Sequence, residues 1–134
     1  MKDNYKKLVK YWQETAAYDY DTMKSLFKSK RYASSLFFGH LVLEKILKAL
    51  VVYETKAYAP YTHNLIRLVK ISDIKLSEKE MDLLRIVNEF NLEVRYPEYK
   101  LKFYKLCTKE YTEKYIEEIV KLYKKLCQKL MLKK

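Results

Sequence analysis

Two groups of residues in this chain have types and spacing that could do chemistry. His40, Glu44 and Lys48 stand four residues apart, so on a helix they rise along one side, one turn from each other, with Lys45 and Ser34 at the flanks. A carboxylate between an imidazole and an ammonium can serve as an acid–base device. A satisfied polar seam looks the same in sequence and is the commoner outcome. The second group is compressed into ten residues: Arg95, Tyr96, Tyr99, Lys100, Lys102, Phe103 and Tyr104. Interleaved cations and rings can grip phosphate while phenols stack on bases. A loop strapped to a core by its aromatics would have the same composition. The candidate nucleotide- or nucleic-acid-binding residues are therefore Arg95, Tyr96 and Tyr99, joined by Lys45 and Lys48, with His40 and Glu44 as a candidate polar strip.

Other chemistries lack their residues. His40 and His63 are the two histidines, too few for a convincing metal site, and Cys107 and Cys127 match no zinc spacing. Both cysteines fall in or near apolar helix faces and read as buried free thiols. There is no glycine-rich phosphate loop, no nucleophile elbow and no paired-carboxylate signature, so neither a metal nor a cofactor is expected.

The elements that must position these groups are helices. The 134 residues contain one glycine and two prolines, with 49% hydrophobic residues, which leaves little room for the tight turns of a β fold. The length suits one domain. At about 100° per residue, Leu36, Leu43, Ile46, Leu47 and Leu50 share one broad arc of the stretch from Arg31 to Tyr53, with Gly39 near its centre. A helix apolar over more than half its circumference is mostly buried. The sole glycine in its middle, costing about 1 kcal/mol against alanine, marks close approach of a second helix. This is the expected spine of the fold.

A first helix is expected from Asn4 to Lys28, with Tyr5, Leu8, Trp12, Ala16, Met23, Leu26 and Phe27 inward and Trp12 as a core anchor. Pro60 breaks the connection after the spine. Thr62 is then expected to cap a short helix from His63 to Ile71, with His63 donating a hydrogen bond across the turn. Ser77 to Glu80 fits a capping box that opens a helix running to Leu92. Pro97 makes Glu93 to Leu106 the least regular stretch. A last helix is expected from Thr108 to Leu132, with Ile116, Ile119, Val120, Tyr123, Leu126, Cys127 and Leu130 as its stripe. The expectation is an all-α, up-and-down bundle of four long helices and one short one.

The net charge is +11, and from Lys100 onward 11 lysines face four glutamates. That asymmetry suits an anionic partner such as nucleic acid or a nucleotide, or it merely keeps a helical surface soluble. No apolar run reaches the ~18 residues of a membrane span, and the N-terminus lacks the apolar core of a signal peptide, so a cytoplasmic location is expected.

In order along the chain, several short matches resemble the prokaryotic HEPN domain. They are Ala17 and Asp21, Tyr32-Ala33, His40-Leu41, Glu44 through Leu50, Thr62-His63-Asn64-Leu65 and Arg95-Tyr96-Pro97. The resemblance implies a helical bundle, usually a homodimer whose Arg-containing segments meet across the interface. It also implies one of two roles. One is an RNase toxin with an arginine followed, four to six residues later, by histidine. The other is a binding subunit encoded beside a minimal nucleotidyltransferase, in a toxin–antitoxin-like module. Here Arg95 matches the arginine, but Lys100, Leu101 and Lys102 stand where the histidine belongs, and no histidine follows His63. The expected function is therefore a non-catalytic nucleotide- or nucleic-acid-binding subunit. Alternatives are a ribonuclease in which Arg95 works with His40, Tyr99 or a lysine, and a plain helical interaction module.

Overall fold

The computed structural model describes residues 4–134, with the side chains of residues 93–95 outside the described set. It is all-α. The helices are α1 (Asn4–Lys28), α2 (Tyr32–Thr55), α3 (Leu65–Ser72), α4 (Glu78–Arg95), α5 (Pro97–Leu106) and α6 (Lys109–Lys133), with no strand among the described residues.

Local chemistry explains most of the boundaries. With one glycine to spend, the chain turns three helix ends on non-glycine residues in the left-handed region: Lys30, Lys56 and Asp73, at φ of 65°, 56° and 59°. At two of these corners a cap N–H closes back on the helix, Lys56 to Val52 O and Asp73 to Lys70 O. The capping box opens α4 as the sequence implies: Glu80 N–H donates to Ser77 Oγ at 3.1 Å, and Ser77 N–H to Glu80 Oε1 at 2.9 Å. Thr108 Oγ1 caps α6 by accepting from Tyr111 N–H.

Two expectations are corrected. Asn64, not Thr62, caps α3, its Oδ1 accepting from the N–H groups of Ile66 and Arg67, while Thr62 Oγ1, two residues earlier, accepts from Asn64 N–H. The stretch read as irregular contains a helix of ten residues, because Pro97 stands at the first helical position, where its missing N–H costs nothing. The bundle thus has two short helices besides its four long ones. Phe103 is the only buried residue of α5; its ring packs 5.6 Å from that of Phe90.

Helix α2 packs against all five others, and fifteen of its 24 residues are buried. Its partners on α1 run in reverse order: Ser35 with Met23, Lys45 with Asp19, Lys48 with Trp12, Tyr53 with Tyr5. Contacts of Tyr20 with Tyr123 and of Glu80 with Lys125 place α6 across from α1 and α4. A β-carbon at Gly39 would stand 2.8 Å from Ile119 Cδ1 and 3.5 Å from Met23 Sδ, so α1, α2 and α6 meet where the glycine is. Trp12 proves half-buried, its ring 5.2 Å from the Lys48 ammonium. Cys107 is buried, but Cys127 only partly; burial pushes its thiol up, and a hydrogen bond with Tyr123 acts the other way.

Candidate functional site

The strip on α2 is buried, and it converges on one residue outside α2. Glu44 Oε2 accepts from Lys48 Nζ at 2.9 Å. Its other oxygen lies 2.9 Å from Nδ1 of His63, in the connection between α2 and α3. A carboxylate paired with an ammonium is ionised and only accepts, so His63 carries its proton on Nδ1. His40 Nε2 lies 2.9 Å from the His63 carbonyl oxygen. A carbonyl also only accepts, so His40 is protonated on Nε2. Its Nδ1 then faces the Asn91 amide nitrogen, a donor, at 3.4 Å. Glu44 Oε1 also stands near this nitrogen, 3.6 Å from His40 Nδ1. His40 holds the main chain of His63, Glu44 holds its ring, and Lys48 holds Glu44. The spacing of four along α2 stacks the three for this purpose.

His63 lines a cleft of about 410 Å³ where the start of α3 meets the end of α4, together with Asn64, Asn88, Asn91 and Tyr96. Glu89 adds a carboxylate to its lining. Asn88 fixes the walls: its Oδ1 accepts from Leu65 N–H at 3.0 Å and its Nδ2 donates to Asn64 Oδ1 at 3.1 Å. While Glu44 and His40 are almost wholly buried, the His63 side chain is 52% exposed. The cleft thus offers an imidazole, amides and a phenol, a set able to hydrogen-bond a base or a ribose and to stack on a ring.

Among the residues singled out from sequence, Tyr96 lines this cleft and is half-exposed, and Tyr99 is half-exposed on α5. Arg95 is the last residue of α4, next to Tyr96; its side chain lies outside the described residues. Each of the other two cations has a carboxylate partner, Lys48 buried and Lys45 partly exposed. Lys48 is buried against Glu44, and Lys45 Nζ lies 2.6 Å from Asp19 Oδ2, an ion pair by distance whose alignment falls short of a hydrogen bond. Sequence reasoning gave His63 only a turn-bridging hydrogen bond and passed over Asn88 and Asn91. The Thr-His-Asn-Leu run was a signal for His63; isolated asparagines on a helix gave none.

Among the described residues no helix is long and apolar enough to cross a membrane, and no cluster of metal-ligating side chains forms. A family model for the HEPN domain matches residues 9–132. No curated protein and no solved structure matches the chain.

Proposed function

The chain belongs to the HEPN domain family, and on that premise we propose that it is a nucleotide- or RNA-binding subunit whose ligand enters the cleft beside His63. The observation that carries this reading is the lining itself: Tyr96 can stack, the asparagine amides can read base or ribose edges, and Arg95 stands next in the chain to hold phosphate. The +11 charge would draw a polyanion to the surface. Assembly as a homodimer is part of the same reading. Tyr99, Leu101, Tyr104 and Leu106 leave 44–65% of their area uncovered along α5, more apolar surface than one short helix needs. A nucleotidyltransferase encoded nearby is the proposed protein partner, in a toxin–antitoxin-like module.

Titrating a labelled single-stranded RNA at two salt concentrations tests the binding. Affinity is expected to fall as salt rises. Tyr96→Ala should weaken it roughly tenfold, in keeping with the ~1–3 kcal/mol of one stacked base, and Arg95→Ala should weaken it several-fold. Lys10→Ala, on the outer face of α1, should change it little. RNA that binds equally well to Tyr96→Ala and Arg95→Ala would move the site elsewhere, and sedimentation as a monomer at tens of micromolar would remove the dimer.

A further inference from the structure

We infer that a bound RNA leaves the cleft along α5 and is held again by its phosphates at a second site, the corner where the α1–α2 connection meets the far end of α5. The inference rests on the binding reading, with single-stranded RNA as the ligand. The lining of the cleft includes the Glu89 carboxylate and neither lysine nor arginine. Arg95 can serve one phosphate beside it, so the +11 charge must act on the strand elsewhere. Tyr96, on the rim of the cleft, caps α5. Tyr104 and Cys107, at the other end of α5, line a cavity of about 230 Å³ together with Lys30, Arg31 and Ser34. Among the described residues no carboxylate contributes to that lining.

The corner cavity is smaller than the ~300–1,000 Å³ of sites that enclose a whole small molecule, a size suited to one phosphate and its sugar. Lys30 and Arg31 are exposed, and among the described residues neither is paired with a carboxylate, unlike Lys45, Lys48 and Lys125. Lys100 joins them from α5, its Nζ 5.8 Å from the centre of the Tyr104 ring, within reach of cation–π attraction. The corner itself is fixed. Arg31 N–H donates to Leu26 O at 2.8 Å, and the buried Ser35 Oγ donates to Met23 O at 2.8 Å. Cations on a fixed turn have less freedom to lose when a ligand arrives. Between cleft and corner, α5 runs for ten residues, about 15 Å at ~1.5 Å per residue. Lys100, Lys102 and Lys105 are exposed along it, against one acid, Glu98. A strand that follows α5 can thus exchange counterions for fixed ammonium groups along its way.

The test uses the purified full chain and a labelled single-stranded RNA of about twelve nucleotides, titrated over a range of salt concentrations. Lys30→Ala combined with Arg31→Ala should weaken binding roughly tenfold at low salt. The plot of log affinity against log salt should become shallower by about 1.4, two phosphates at ~0.7 each for a single strand. Arg31→Lys, which keeps the charge, should keep the slope. Lys7→Ala combined with Lys10→Ala removes the same two charges from α1 and should change affinity and slope little. Tyr96→Ala should lower affinity and leave the slope as it is. A dinucleotide, at about 3.4 Å per stacked nucleotide, cannot span α5 and should bind the parent and the corner variant alike. Equal losses in the corner and α1 variants would show net charge alone at work and overturn the inference. So would a dinucleotide that loses as much as the longer strand, or a corner variant that binds the longer strand as the parent does. In each of these cases a loss in Tyr96→Ala leaves the cleft reading standing. No binding of RNA by the unaltered chain overturns both.

Discussion

One side of α2, centred on Gly39, meets Met23 of α1 and Ile119 of α6; the other carries His40, Glu44 and Lys48 and meets His63 and Asn91. Both sides are closed to water, and they are held by different physics. The apolar side is set by volume. Its attractions are short-ranged and undirected, so an error of one methyl group has a graded cost. The polar side is set by partners. Each donor and acceptor is committed, and removing one member strands a buried charge, not merely a hole. Near-complete burial therefore does not say how a position will respond to change.

The strongest way to break this contrast is Lys48→Met, which keeps the side-chain length and deletes the ammonium. Glu44 would lose the ammonium and keep its contacts with the two histidine rings, and the expected loss is about 3–5 kcal/mol in a denaturant titration. That is a large part of a typical domain's stability. Adding Glu44→Leu to Lys48→Met should recover part of the loss, because a well-packed apolar pair carries no desolvation penalty. A single variant losing less than ~1 kcal/mol would put both sides of α2 on the same footing.

Gly39→Leu probes the other side. With Ile119 Cδ1 already 2.8 Å from where a β-carbon would stand, an added side chain forces α1, α2 and α6 apart. The expected loss is about 1–3 kcal/mol, read as a lowered melting temperature. Melting at the parental temperature would show that the three helices have slack there.

The smallest effect sharpens the contrast with an ion pair left in water. Lys125 Nζ lies 2.8 Å from Glu80 Oε2 across α4 and α6, with 45% and 21% of the two side chains exposed. Lys125→Met should cost no more than ~1 kcal/mol, against several for the buried pair. Burial raises the Glu80 carboxyl, but hydrogen bonds from Lys125 and from Ser77 outweigh it and hold the group below its ordinary value of 4.5. A depressed carboxyl contributes stability above its unfolded value and loses it as pH falls through the folded one. Parent and variant should therefore differ at neutral pH and converge well below pH 4.5, as unfolding curves at the two pH values would show.

What the sequence disclosed divides along the same line. The spine, the Ser77 capping box and the long helices were legible because each is written within one or two turns of chain. Thr62 and Asn64 are both good caps two residues apart. Choosing between them depends on where Glu44 and His40 pin His63, and that is settled by tertiary contact. Pro97 was read as an interruption because a proline inside a helix breaks it, yet at the first position it opens one. His63 was undervalued because its partner lies 19 residues back, across a connection with no periodic pattern. Asn91 reaches His40 from 51 residues away, and nothing local announces it.

Helix α5 hangs on one ring. Nine of its ten residues are exposed, and Phe103 against Phe90 is its main anchorage in the core. In energetic terms α5 is a unit of its own, and its opening costs far less than melting the bundle beneath it. Tyr96, which caps it, and Tyr99, in its first turn, ride on the element that is cheapest to lift. The rim of the cleft can therefore move with α5 while α2 keeps His63 where it is.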